Sequence, residues 1–217
     1  VDKVAAELRR SILAGDLAPG QPFSITEISN DLGVSHIPVR EALQRLESQG
    51  LIHMRAGRSA IVAPLEIEEV RSAFRLRRAI EVDLATQALR SHQPGDMSRL
   101  HDSFDAMSKS APESDDLMAH HRAFHAGLLQ PEATEWDLRI LELLWQTTER
   151  YARLALPEAA VPTDEGLRPL SESHEPLLQA AVAGSVRNLK RHLQQHLQEA
   201  ELAILEKVSG SRSASGK

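Results

Sequence analysis

A chain of 217 residues, 41% of them apolar, is long enough for one large or two small domains with real cores, which excludes a disordered protein. It has no cysteine, so disulfides, thiolate metal sites and a cysteine nucleophile are excluded and any metal must be held by nitrogen and oxygen, with ten histidines to draw on. A net charge of −6 argues against unspecific adhesion to nucleic acid.

The charge is uneven. Residues 1–64 hold seven Lys/Arg and seven Asp/Glu, so all of the net acidity lies behind them and any DNA affinity of the first part must come from locally placed arginines. No apolar run is long enough to span a bilayer and no secretion-signal pattern is present, so a cytoplasmic protein without membrane contact is expected.

Val4, Leu8, Ile12 and Leu13 have helical spacing, and the glycines and prolines of "AGDLAPGQPF" end that segment. Ser24 followed by Glu27 is a capping-box pattern that opens a short second helix, closed by Gly33. A third helix is expected from Ser35 to about Gln49. Its N-cap is Ser35, and Pro38 lies in the first turn, where a missing N–H costs nothing. Val39, Ala42, Leu43 and Leu46 share one face and are assigned to the core; Ile37, Arg40, Glu41 and Gln44 point away from it. "LIHMR" and "AIVAP" around "AGRS" then read as a β-hairpin, which completes the outline of a winged helix-turn-helix ending at Pro64.

From Glu66 onward only helical periodicity is found. Helices are expected over 66–91, 96–109, 114–130, 133–155, 168–183 and 185–207. The fold class is therefore mainly α, with a winged helix-turn-helix over 1–64, an all-helical bundle over 65–208 and a disordered tail over 209–217.

The stretch from Ile12 to Pro64, which contains "LGVSHIPVREALQRLESQGLI", resembles the amino-terminal DNA-binding domain of GntR-family transcriptional regulators. The resemblance implies that Arg40 makes the main base contact, assisted by His36, Ile37 and the wing tip. The full DNA-binding set expected is Ser35, His36, Ile37, Arg40, Gln44, Arg45, Arg55, Gly57 and Arg58. His36 and Ile37 stand where the family usually has Arg and Thr, and an exposed Ile37 suits a thymine methyl.

In the helical half, Arg77 and Glu81 fall in the middle of the stripe made by Val70, Phe74, Leu84 and Ala88. They are read either as a buried ion pair or as an effector site in which the forked donors of Arg77 meet a carboxylate. "LMAHHRAFHAGLL" puts His121 and His125 one turn apart on the face of Leu117, Phe124 and Leu128, and His174 and His196 also lie on apolar stripes. Singly, each reads as a hydrogen-bonded core histidine; together, four inward imidazoles need partners that a shared metal would provide.

Residues 66–205 resemble the FCD effector domain of FadR-type GntR regulators. The FCD motif of Asp, three residues, His and two later His falls on positions 121, 125, 174 and 196, with His121 in place of the usual Asp and Arg77 at the family's effector arginine. The resemblance implies a divalent metal that helps hold a small organic acid; an all-imidazole set favours Zn or Ni over Mn or Mg. The expected function is that of a homodimeric repressor on a near-palindromic double-stranded operator, relieved by its effector. A metal-only sensor and a metal-dependent hydrolase are the alternatives, and "HHRAFH" lacks the glutamate that a zinc peptidase uses as general base.

Overall fold

The computed structural model describes residues 1–14, 16–48, 50–55, 59–64, 66–110, 115–155, 160–163 and 166–214. The chain divides into two compact units, Val1–Glu66 and Ile67–Lys217.

The first unit begins with α1 (Asp2–Ala14), whose Val4, Ala5, Leu8 and Ile12 are buried. It continues through β1 (Pro22–Ser24), α2 (Ile25–Leu32), α3 (His36–Ser48), β2 (Ile52–Arg55) and β3 (Ser59–Val62). The capping box forms as expected: the Glu27 N–H donates to Ser24 Oγ at 3.1 Å and the Ser24 N–H to Glu27 Oε2 at 2.8 Å. Gly33 ends α2 at φ +63°, a left-handed conformation in which a side chain would be strained, and this sets the turn into α3. Val39, Ala42, Leu43 and Leu46 of α3 are fully buried, while Ile37 stays 70% exposed.

The three strands form one antiparallel sheet in the order β1–β3–β2, with Ile52 opposite Val62 and Phe23 opposite Ala60. The sequence pattern gave only the β2–β3 hairpin. β1 escapes it because three residues are too few to alternate visibly, although Phe23 is buried and Pro22 takes the tolerated first position of an edge strand. The Met54 N–H donates to Glu47 Oε1 at 2.8 Å, tying the wing to the end of α3.

The second unit contains α4 (Ile67–Ser91), α5 (Pro94–Lys109), α6 (Asp115–Leu129), α7 (Glu135–Ala155), β4 (Ala160–Thr163), β5 (Gly166–Pro169), α8 (Leu170–Val182) and α9 (Val186–Ala214). α4 packs against α6, α7 and α9, while α5 packs against α6 and α8. At Gly127 on α6 an added Cβ would lie 3.2 Å from Leu100 Cδ1 of α5, so even an alanine there would require the Leu100 side chain to shift by a few tenths of an ångström.

Two expectations are corrected here. The second unit is not purely helical, because residues 160–163 and 166–169 pair as an antiparallel hairpin, Val161 opposite Arg168. Strands of four residues interrupted by Pro162 and Pro169 give no alternation to detect. Nor does a tail begin at 209, since α9 runs on to Ala214. Ala203, Ile204 and Val208 carry its buried face to the end of the expected domain.

Candidate functional site

The recognition surface of the first unit follows from the face that α3 buries. With Val39, Ala42, Leu43 and Leu46 inward, Ser35, His36, Ile37, Arg40 and Gln44 are all exposed. Arg45 is exposed too, but its Nη1 donates to Asp2 Oδ1 of α1 at 2.8 Å. Arg55 is exposed at the end of β2, and Gly57 and Arg58 lie outside the described residues.

The interior of the second unit gathers side chains from five helices. α6 supplies His121 and His125, α8 His174 and α9 His196; one nitrogen of each lies within 4.8 Å of the others. The rings pack edge to face, with His174 and His196 centroids 4.2 Å apart and His121 and His125 4.7 Å apart. His125 and His174 are fully buried, and the His121 side chain keeps 12% exposure.

The partners of the rings fix their tautomers. His125 Nδ1–H donates to Glu81 Oε2 at 2.9 Å, and His174 Nδ1–H donates to the Leu170 carbonyl at 2.6 Å. Both acceptors take a proton rather than give one, so each neutral ring has a bare lone pair at Nε2. Those two Nε2 atoms face each other at 3.2 Å. His121 Nδ1 is buried without a hydrogen bond, 3.9 Å from Glu149 Oε1.

Burial pushes the His121 ring down to about 3 from its ordinary 6.5, with the positive charge of Arg77 adding to the effect. Burial likewise holds His125, His174 and His196 well below the ordinary histidine range, and neighbouring imidazoles reinforce it. At neutral pH the cluster is therefore four neutral imidazoles, the protonation state a metal requires. A buried orphan nitrogen and a facing pair of lone pairs fit a cation among them.

α4 and α7 build the polar shell behind the cluster. Glu81, wholly buried, receives Arg77 Nε at 2.6 Å and Trp145 Nε1 at 2.9 Å on Oε1, and His125 on Oε2. Arg77 Nη1 donates to Thr148 Oγ1 at 3.0 Å. Glu149 is paired with Arg122, whose Nε also lies 3.6 Å from Glu142. Sequence reasoning brought Arg77 and Glu81 to the site but missed Thr148, Glu149 and Arg122. Of the two readings of Arg77 and Glu81, the buried ion pair is present, and the Glu81 carboxylate also accepts from Trp145 and His125.

Residues 1–62 match the model of the bacterial regulatory proteins of the gntR family, and residues 72–199 match the FCD domain. The chain belongs to the FCD-containing GntR family. This GntR protein is a DNA-binding transcriptional regulator and not an enzyme. It is 28% identical over 194 residues to the HTH-type transcriptional repressor RspR of Escherichia coli, covering 88% of this chain and 83% of RspR. With LutR, an HTH-type transcriptional regulator of Bacillus subtilis, it shares 23% identity over 86% of this chain and 93% of LutR. In fold it is similar to McbR/YncC of Escherichia coli, at a TM-score of 0.61 and 22% identity, covering 94% of this chain and 95% of that one. A GntR regulator of Rhodococcus is similar at a TM-score of 0.66 and 22% identity, over 94% and 97% of the two chains. Among the described residues no helix is long and apolar enough to cross a membrane.

Proposed function

We propose that this GntR regulator is a homodimeric, cytoplasmic repressor whose DNA binding answers to a small carboxylate effector at a divalent metal held by His121, His125, His174 and His196. The observation that carries the reading is the pair of unprotonated Nε2 atoms 3.2 Å apart. Two lone pairs at that distance repel unless a proton or a cation lies between them, and burial removes the proton at neutral pH. When bound, the metal supplies a Lewis-acid position for an effector oxygen.

The protein's own groups prepare this position. Glu81 and the Leu170 carbonyl hold His125 and His174 with Nε2 turned to the cluster, and Arg77, through donors that Glu81 and Thr148 leave over, meets the effector carboxylate. Imidazole donors favour Zn or Ni over Mn or Mg. On the DNA side α3 lies in the major groove, with Arg40 as chief contact and Ser35, His36, Ile37 and Gln44 around it. Arg45, Arg55, Gly57 and Arg58 meet the backbone. Arg45 is drawn from an exposed ion pair worth only about 0–1 kcal/mol, which a phosphate readily replaces. Two copies bind a near-palindromic operator.

Elemental mass spectrometry of tag-free wild type and His125→Ala, with gel shifts on the operator, tests the reading. We expect close to one divalent ion per chain, lost in the variant, and operator affinity that changes when a carboxylate is added to the metal-loaded protein. Absence of metal after reconstitution would sink it. The engagement of Arg77 by Glu81 and Thr148 favours a second reading, metal-only sensing, in which operator affinity follows the metal and ignores every acid.

A further inference from the structure

The charged side chains that reach the histidine cluster, among the described residues, come as opposite pairs. Arg77 is matched by Glu81 at 2.6 Å, and Arg122 is matched by Glu149, whose Oε1 lies 3.9 Å from His121 Nδ1. Glu142, 3.6 Å from Arg122, has a side chain 43% exposed and lies on the solvent side of that arginine's pairing, where water screens its charge. Each pair sums to zero, and the four imidazoles are neutral ligands. The interior therefore offers no surplus negative charge, and a divalent ion bound there brings two positive charges that the surrounding side chains leave uncompensated.

Charge buried without compensation is costly, and the cost grows as water is excluded. His125 and His174 have almost no contact with solvent, so water screens the ion poorly on their side. His121 and His196 keep slight exposure, 12% for the His121 side chain, so theirs is the side from which a small acid would approach. The species that best relieves the imbalance brings two negative charges of its own.

We propose that the effector of this site is a small dicarboxylate rather than a monocarboxylate, selected because its double charge matches the one an all-histidine metal site leaves open. This rests on the reading above that the cluster holds a divalent metal and a carboxylate.

The test uses the full chain loaded with Zn or Ni, its metal content checked by elemental mass spectrometry before and after each titration. Isothermal calorimetry then compares pairs of equal carbon number, succinate against butyrate and malonate against propionate. The dianion of each pair is expected to bind at least about tenfold more tightly. In His121→Asp, which places one negative charge beside the ion, that margin should shrink by about tenfold; in the neutral His121→Asn it should persist, whatever happens to affinity itself. Metal present but butyrate equal to succinate overturns the proposal and leaves the metal reading standing. An undiminished margin in a metal-loaded His121→Asp overturns it as well, because the preference would then come from hydrogen bonding and not from charge. If neither acid of a pair binds the loaded protein, or if the protein takes up no metal, the reading of the site fails and the proposal with it. Should the aspartate variant not fold, the wild-type comparison still decides.

Discussion

Glu81 holds Arg77, Trp145 and His125 at once, so neutralising it affects the metal ligand and the arginine together. Glu81→Gln should lower metal affinity by about 10–100-fold, measured by competition with a chromophoric chelator, since the carboxylate fixes the His125 tautomer. Removing the arginine acts on stability instead. Arg77→Ala leaves Glu81 buried without its main counter-charge and should cost about 3–5 kcal/mol in urea unfolding. The imidazoles themselves make stability depend on pH. Between about 3 and 6.5 the folded protein keeps His121 neutral while the unfolded chain protonates it, and the other three histidines add in the same direction. The unfolded state then binds more protons, so stability rises with pH across this window. In chelator, the urea midpoint should fall as pH drops from 7 to 5 and should show no histidine-dependent change above 7; a flat profile would show that the rings are not held neutral. The four histidines were legible because each interrupts an apolar stripe. The shell from α7 was not, because "WQTTER" reads as an ordinary polar face and nothing in its spacing says that α4 lies opposite.

Helices of the second unit were legible where an apolar stripe repeats over three or more turns, as in α4, whose Val70, Phe74, Ala85 and Ala88 are buried. Short strands were not, because β1, β4 and β5 owe their conformation to a partner strand distant in sequence or across a turn. Local signals did fix the entry to α2. Ser24→Ala removes the acceptor for the Glu27 N–H and should cost about 1 kcal/mol, visible as a lower urea midpoint at unchanged slope. The same reasoning separates α3 into two kinds of position. Changes at Val39 or Leu43 act through the core, whereas Arg40→Ala leaves packing intact and should weaken operator binding by about 1–3 kcal/mol with no loss of thermal stability. An Arg40→Ala protein that binds its operator as tightly as wild type would exclude α3 as the reading helix.

At the scale of the molecule, the two units have separate cores and need not melt together. A metal that binds only the folded second unit stabilises that unit alone, by about 2.7 kcal/mol when the free ion is at a hundred times its dissociation constant, and raises its midpoint. Calorimetry with and without chelator should therefore move one transition and leave the other in place. The domain order itself was readable from the sequence, through the change from mixed periodicities to helical periodicity after Pro64. The indole bonded to Glu81 has one more consequence. The chain has two tryptophans, Trp145 at 3% exposure in the shell of the cluster and Trp136 at 70% exposure on the outside of the same helix. Iodide can silence the emission of Trp136 while leaving Trp145 bright, so the protein carries an unlabelled optical gauge that reports, through the indole N–H, any change in the carboxylate behind its histidines.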